Sequence, residues 1–476
     1  MCGITALLIK QNNYKQSPSL NPCASLLKES LIQLQHRGYD GAGIALDSPD
    51  KIILGKGKGL IKDVLNQKFI EKLSRLNKSS NYGLGHTRYK TKGECTNGSS
   101  QPLINESKNL CLVHNGQVES KECLPDTIYI LNLIESLLKE KKGEITTNEV
   151  LEIIQNLFYT LRGSYSCVLM IHNFGLVVFR DLYGIRPLVY ASSSQAQGIA
   201  SEDIALSKIS VFGNNRETTY RDVRPGECLI LRPNYPPISY QCKKGIRKLH
   251  PCIFEYIYLA HPDSTFNSIN VMKARKLLGR ILAQKIQMYL HTDDLPDYII
   301  PVPETSCPAT HEIAKFLNIP YLEALSLKKD RAKARTFILP TQEERVKAVS
   351  EKFEIPNPVT ISKLKNKHVM IVDDSIVRGT TLQYIVKLFK EKCQAKEITI
   401  ASISPPIKHK NIYGIDIPDS SILIASRFKT YKEIAKELGA DQIIYQDLKP
   451  MIKNFQILNK DIGNFETSLF DGLYVI

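Results

Sequence analysis

One stretch constrains the fold of this chain more than any other: HVMIVDDSIVRGTTLQYIVKLFK, at 368–390. A continuous apolar run ends in two acids, crosses a Ser/Gly/Thr loop, and enters a segment with apolar residues at helical spacing. That order predicts a buried strand, a tight loop and a helix from about 381 to 393, the unit of a mostly parallel α/β sheet. Ligands bind beyond the carboxyl ends of strands in such sheets. Loop and helix-start N–H groups can wrap a phosphate, aided by the helix dipole. Gly379 permits close backbone approach, while Ser375, Thr380 and Thr381 add hydroxyl donors. Asp373 and Asp374 suit sugar hydroxyls and a hydrated Mg²⁺, which favours oxygen ligands. A strand–turn–helix with an acidic N-cap would explain a lone acidic pair, but not the whole string.

Two neighbouring segments extend this reading. IIPVPETS (299–306) ends a second predicted strand with Glu304, Thr305 and Ser306, before a helix from about 308 to 317. Such a strand end could bind pyrophosphate or metal, or only cap the helix. KKDRAKAR (328–335), followed by Arg345 and Lys352, supplies cations for a highly charged leaving group. On its own it would be a solvated basic loop. ITIASISPP (398–406) reads as another buried strand.

The first half has a different texture. Short β-rich runs at 41–46, 51–57, 82–89, 110–116, 164–171 and 175–180 alternate with Gly turns, and helical spacing appears at 23–35, 127–140 and 147–161. This predicts layered α+β packing rather than a dinucleotide fold. GKGKG (55–59) fits no phosphate-loop register and reads as a hairpin turn. RPNYPPISYQCKKGIRKLHP (232–251), rich in proline and basic residues, reads as a strand-rich linker or boundary.

Of the eleven cysteines, none forms a C-x-x-C pair, which argues against a disulfide framework or zinc site. Most, such as Cys167, read as small buried hydrophobes. Cys2 is placed differently. If Met1 is removed, Cys2 gains an α-amine of pKa ~7.7–8.0 that can assist proton transfer from its thiol.

Its surroundings give that position weight. CGI at the start, LQHRGYDGAGI (34–44), GHTRY (85–89), HNG (114–116), RGSYSC (162–167) and FRDLYGIRPL (179–188) resemble, in this order, the glutaminase domain of class II glutamine amidotransferases. DDSIVRGTT resembles the 5-phosphoribosyl-1-pyrophosphate (PRPP) motif of type I phosphoribosyltransferases. Together with PCIFEYIYLAHPDS (251–264), RTFILP (335–340), YGID (413–416) and FETSLFDGLYV (465–475), the chain resembles the amidophosphoribosyltransferase family from end to end.

The resemblance implies an α+β N-terminal-nucleophile glutaminase domain, an αββα sandwich, over 2–235. An α/β type I phosphoribosyltransferase domain with a mostly parallel sheet follows over 250–450, and 451–476 is a C-terminal extension packing on the rest. It implies glutamine and PRPP as substrates and phosphoribosylamine as product. Cys2 matches the nucleophile, Asn115 and Gly116 the oxyanion hole, Arg88 the clamp on the glutamine carboxylate, and Asp126 the acid holding its ammonium. PRPP matches Asp373, Asp374, Ser375, Arg378, Gly379, Thr380 and Thr381, with Lys352 at the pyrophosphate. One Mg²⁺ per subunit matches Thr305, Asp373 and Asp374. AMP and GMP are implied as feedback inhibitors, and a homotetramer or homodimer as the assembly.

Departures from the family pattern also matter. Lys90 stands for a proline, Ile128 for a glutamate, and Ala332 and Ala334 replace an aromatic and a glycine in the loop that closes over PRPP. That loop change puts closure and ammonia transfer in question more than the reaction itself. Thr467 and Phe470 stand where some relatives have cysteines, leaving Cys252 alone, so no iron–sulfur cluster is expected. Cys2 directly follows Met1, so no propeptide is expected.

The formal charge of +15 suits a phosphorylated substrate, and equally a Lys-rich surface that binds nothing. No zinc-finger spacing or long basic run supports nucleic acid. No apolar run approaches the ~18 residues of a membrane span, and the start lacks a basic lead-in, so a cytoplasmic protein is expected. Two other readings are a different class II amidotransferase and a PRPP-sensing regulator without catalysis. DDSIVRGTT and the lack of an adenylation motif weigh against the first; the presence of Cys2, Arg88, Asn115 and Asp126 weighs against the second.

Overall fold

The computed structural model describes residues 2–10, 21–76, 80–89, 100–120, 124–139, 144–213, 216–242, 248–291, 294–328 and 352–475. Lys90, Ala332, Ala334, Arg345 and most of the basic loop lie outside the described residues.

In the first half, two antiparallel sheets stack face to face. One runs β11–β9–β10–β1–β4–β2–β3. Its strands are β1 (Gly3–Ile9), β2 (Gly41–Leu46), β3 (Ile53–Lys58), β4 (Tyr82–Arg88), β9 (Val189–Ser192), β10 (Ala196–Ala200) and β11 (Thr219–Asp222). The other runs β13–β12–β8–β7–β6–β5. Its strands are β5 (Leu103–Ile104), β6 (Leu110–Val118), β7 (Gly163–Ile171), β8 (Gly175–Arg180), β12 (Glu227–Leu231) and β13 (Ile238–Gln241).

Ile4, Ala6 and Leu8 from one sheet meet Val113, Val168, Val178 and Leu229 from the other to form the central layer. The helix Pro22–Gln33 covers the first sheet, and the helices Asp126–Lys139 and Thr147–Thr160 cover the second. The result is an αββα sandwich. Strands covered on both faces are apolar throughout rather than alternating, as β1 is. Asn21 starts the first helix by accepting from the N–H groups of Cys23 and Ala24, and Thr146 with Glu149 forms a reciprocal capping box on the third.

Two details of the sequence reading need correction. GKGKG is not a hairpin turn: residues 55–58 belong to β3, paired along β2 with Gly41 opposite Lys58. The strand-rich stretch from 232 supplies a strand of the sandwich, since Ile238–Gln241 pairs with β12, so the boundary drawn at 235 falls too early.

The second half opens with a small hairpin, β14 (Thr265–Phe266) and β15 (Ile269–Asn270). A four-stranded parallel sheet follows in the order β16–β19–β20–β21. These strands are β16 (Tyr298–Pro301), β19 (His368–Asp373), β20 (Glu397–Ser402) and β21 (Gln442–Tyr445). The register sets Pro301 beside Val372 and Asp373 beside Ser402, bringing the strand ends that carry Glu304–Thr305 and Asp373–Asp374 to one edge. The expected helices are Cys307–Leu317 and Thr380–Cys393. β17 (Ser326–Leu327) and β18 (Phe353–Glu354) pair at the two stems of the basic loop.

The halves share a core. Ile185 and Val189 of the sandwich join Ile253, Tyr256, Met370 and Val372 in one apolar cluster. The C-terminal segment packs back on it through Phe455, Phe465 and Leu469. Its helix, Leu448–Leu458, begins before residue 451, so the division between 450 and 451 cuts an element.

Candidate active sites and the cavity between the halves

Cys2 sits where the two sheets meet. β1 runs antiparallel to β4 with Gly3 opposite Thr87, which brings half-buried Cys2 to the Arg88 end of that strand. From the facing sheet, Asn115 Oδ1 accepts the backbone N–H of Cys2 at 3.2 Å. The Asn115 side chain is 1% exposed, and its Nδ2 is buried without a hydrogen-bond partner. An unsatisfied buried donor costs about 1–3 kcal/mol, so one aimed beside a thiol marks a place for an oxyanion. Next to it, Gly116 has φ 145°, and a Cβ there would lie 2.1 Å from the Ser164 carbonyl oxygen. Only glycine presents its N–H there. Asp126, at the start of a helix, accepts the Val118 N–H at 3.3 Å from the same strand.

His86 and His114 lie buried between the sheets beside this site. Burial pushes both imidazoles down, His114 to about 4. Neither carries a charge at neutral pH.

Four charged side chains and His36, all missed by the sequence reading, tie Cys2 to the second half. Arg37 Nε donates to the Cys2 carbonyl at 3.1 Å. Its guanidinium is buried between Glu202, at 2.5 Å, and Glu255, at 3.0 Å. Arg186 also binds Glu255, at 3.1 Å, and its Nε donates to the Tyr413 carbonyl at 2.7 Å. His36 meets Glu202 at 2.7 Å. Ser164 Oγ donates to the same Tyr413 carbonyl at 2.9 Å, and Gly414 packs so closely that its Cβ would meet the Gly116 backbone at 3.0 Å. LQHRG and YGID were noted as motifs, but pairings over 165 or more residues leave no local signal.

In the second half, Asp373 ends β19 and Gly379 starts the helix Thr380–Cys393 with φ 87°. No side chain caps that helix, so its first N–H groups face the loop. A Cβ on Gly379 would meet Ile424 and Leu438 at 2.8 Å. Burial and the neighbouring Asp374 push the Asp373 carboxyl well above its ordinary range, and Lys352 partly offsets this. Asp373 Oδ1 accepts the Asp374 N–H at 2.9 Å, and Asp374 Oδ1 accepts from Ser375 Oγ at 2.7 Å.

Every PRPP residue assigned from the sequence lines one cavity of about 630 Å³: Asp373, Asp374, Ser375, Arg378, Gly379, Thr380, Thr381 and Lys352, with Thr305 and Glu304 across from them. Its other wall was not foreseen. His36 and Tyr39 come from the sandwich, joined by His261 and Arg275. Burial lowers the Arg275 guanidinium to about 10, and Asp374 counters the shift. A buried carboxylate pair with hydroxyls opposite is a donor set suited to a hydrated divalent cation. Among the described residues, no three His, Cys, Asp or Glu side chains converge on one point. Cys252 is buried in the shared core, and no helix among the described residues is long and apolar enough to cross a membrane.

Residues 86–208 match the family model for a glutamine amidotransferase domain, and 267–420 the one for a phosphoribosyl transferase domain. Amidophosphoribosyltransferase of Pasteurella multocida is 36% identical, over 100% of this chain and 93% of that protein. The Saccharomyces cerevisiae amidophosphoribosyltransferase is 35% identical, over 100% and 92%. A solved glutamine PRPP amidotransferase from B. subtilis, complexed with ADP and GMP, has a TM-score of 0.78 at 30% identity, over 100% of this chain and 97% of that one.

Proposed function

The chain belongs to the amidophosphoribosyltransferase family, the enzymes of the first committed step of purine biosynthesis, and on that premise we propose how its residues divide the work. It transfers the amide nitrogen of glutamine to PRPP, giving 5-phosphoribosylamine, glutamate and pyrophosphate. The glutaminase domain runs from Cys2 to β13, and the phosphoribosyltransferase domain from about 250 onward.

Cys2 Sγ attacks the glutamine amide carbon and forms a thioester, releasing ammonia; water then hydrolyses the thioester, freeing glutamate and restoring the thiol. Asn115 Nδ2 and the Gly116 N–H donate to the tetrahedral oxyanion, where preorganised donors act most strongly. Arg88 binds the substrate carboxylate and Asp126 its ammonium. With Met1 removed, the Cys2 amine is the base for its own thiol, and the Asn115 Oδ1 contact orients it.

Ammonia then reaches PRPP within the enzyme. The loop from Ser375 to Thr381 holds the 5-phosphate, Asp373 and Asp374 face the ribose hydroxyls, and Lys352 faces the diphosphate. Thr305, Asp373 and Asp374 would hold a Mg²⁺ ion, whose chemistry is to neutralise charge on the departing diphosphate. The raised Asp373 carboxyl fits that role, since a cation would relieve its repulsion with Asp374. AMP and GMP are the proposed feedback ligands. The B. subtilis relative was solved with ADP and GMP. A cytoplasmic homotetramer or homodimer is the proposed form.

The observation that carries this reading is the shared cavity, in which His36 and Tyr39 from the Cys2 half face the PRPP loop. The test is pyrophosphate release from PRPP and Mg²⁺ with glutamine, ammonia or neither. Release with both donors is expected. Release with ammonia alone would remove glutamine from the reaction, and release with neither donor would overturn the transfer.

A further inference from the structure

We propose that Gln101 positions the glutaminase site: its side-chain amide ties the strand that carries Asn115 and Gly116 to the helix start that carries Asp126. This rests on the glutaminase reading of Cys2 and adds a positioning residue, one that acts through its neighbours rather than on substrate.

The need for such a tie arises where β5 stops. β5 pairs with β6 through Leu103 opposite Leu112 and Ile104 opposite Cys111. That register, continued, sets residue 101 opposite His114. The backbone of Gln101 and Pro102 instead lies against β2, where a Cβ on Gly43 would sit 2.7 Å from the Gln101 carbonyl oxygen and 2.8 Å from Pro102 Cδ. Lys56 Nζ holds the segment there, donating to the Ser100 carbonyl at 2.5 Å and the Pro102 carbonyl at 3.1 Å. His114, 3% exposed, thus needs another partner for its buried peptide groups just before Asn115.

The Gln101 side chain supplies it. Oε1 accepts the His114 N–H at 2.7 Å, and Nε2 donates to the His114 carbonyl at 3.2 Å. A primary amide carries a donor and an acceptor side by side, so it stands in for the missing strand peptide. Its orientation is fixed by its partners, since an N–H only donates and a carbonyl only accepts. Nε2 also donates to Thr127 Oγ1, at 3.0 Å. Gln101 and Thr127 are both buried, which makes each of these bonds costly to lose.

What these bonds hold is the spacing of the site. Thr127 follows Asp126 at the start of the helix Asp126–Lys139, and Asp126 accepts the Val118 N–H at 3.3 Å. Asn115 and Gly116 therefore lie between two ties of β6 to one helix start, at His114 through Gln101 and at Val118 directly. Asn115 Oδ1 in turn holds the Cys2 N–H at 3.2 Å. With the tie through Gln101 cut, the strand is free to turn about Val118, and the Asn115 Nδ2 and Gly116 donors move off the oxyanion. A shift of ~1 Å in such groups is enough to cost ~10²-fold in rate.

The test compares two variants of the whole enzyme at saturating PRPP. Gln101→Met has a similar volume and none of the three bonds; Thr127→Val loses only the tie to the helix. Glutamate release from glutamine is followed beside ammonia-dependent pyrophosphate release. Gln101→Met is expected to lose ~10–100-fold in kcat for glutamine, as for displaced oxyanion donors. Thr127→Val is expected to raise the KM for glutamine ~3–10-fold with a smaller change in kcat, because Asp126 moves while the His114 bonds remain. Alkylation of Cys2 by iodoacetamide, which needs the thiol but no oxyanion hole, is expected to stay within about twofold in Gln101→Met. A Gln101→Met enzyme with wild-type kcat for glutamine would overturn the assignment. So would equal losses with glutamine and ammonia, or alkylation slowed as much as kcat, since either marks a general defect of the fold. If Gln101→Met fails to fold, an unchanged KM for glutamine in Thr127→Val overturns it alone. Wild type that releases no glutamate from glutamine would instead overturn the glutaminase reading itself.

Discussion

Asn115 accepts the Cys2 N–H through Oδ1 at 3.2 Å while its Nδ2 stays buried and unpartnered, so one side chain both places the nucleophile and keeps a donor in reserve. Asn115→Ala removes that donor. Glutamine-dependent kcat is expected to fall ~10²–10³-fold, the scale of losing one oxyanion donor. Ammonia-dependent pyrophosphate release, measured on the same preparation, is expected to stay within about twofold, because the PRPP loop is untouched.

Cys2→Ala separates the halves more completely. Glutaminase activity is expected to vanish, since no thioester can form, while ammonia still yields phosphoribosylamine. Loss of both activities in a protein with unchanged thermal unfolding would contradict the two-site mechanism.

Gly379 carries the complementary prediction for PRPP. It starts its helix at φ 87°, and an added Cβ would sit 2.8 Å from both Ile424 and Leu438. Gly379→Ala therefore strains the loop by about 1–3 kcal/mol. The KM for PRPP is expected to rise ~10-fold or more with either nitrogen donor. An unchanged KM would show that the loop tolerates the methyl and that phosphate is held elsewhere.

How much of this could be read in advance follows from how local each signal is. HVMIVDD reads as a strand because β19 is covered on both faces, so its apolar run is unbroken, and the acids follow where the strand leaves the core. GKGKG misled because glycine suggests a turn. In β3, Gly55 instead makes room, since a Cβ would lie 2.1 Å from the Phe69 ring. Ile238–Gln241 offers only four alternating residues, Ile-Ser-Tyr-Gln, between prolines and basic residues, at the exposed edge of its sheet. Cys2, Asn115 and Asp373 lie in motifs that name their chemistry. Arg37, Arg186 and Glu255 lie in equally recognisable stretches, yet their partners are set by how the halves dock, which no spacing along the chain encodes.

Asp203 gives a pH-dependent prediction. Burial raises its carboxyl to about 6, although it accepts the Thr265 N–H at 2.8 Å. Unfolded aspartate titrates near ~3.9, so the folded state holds this proton more tightly. The linked stability is fully present below about pH 4 and is lost as pH rises through about 6. Asp203→Asn keeps an acceptor for Thr265 without the charge. It is expected to stabilise the protein by about 1 kcal/mol at pH 7–8, after allowing for solvent screening, and to give no gain at pH 4. A gain in thermal unfolding temperature that does not shrink on acidification would exclude this origin.

Glu255 is the deeper liability. It accepts from Arg37 at 3.0 and 3.2 Å and from Arg186 at 3.1 Å, all three side chains being essentially excluded from solvent. Removing it takes a buried carboxylate from both Arg37, which keeps its pair with Glu202, and Arg186. Breaking a buried pair in this way costs about 3–5 kcal/mol. Glu255→Ala is therefore expected to lower the unfolding temperature by several degrees. Glu255→Gln, which keeps one acceptor oxygen, should lower it less. The functional consequence should be one-sided. Arg37 Nε holds the Cys2 carbonyl, so glutamine-dependent turnover should fall more steeply than ammonia-dependent turnover, below the unfolding transition of the variant. Equal losses in the two reactions would mean that the network supports the fold as a whole rather than the placement of Cys2.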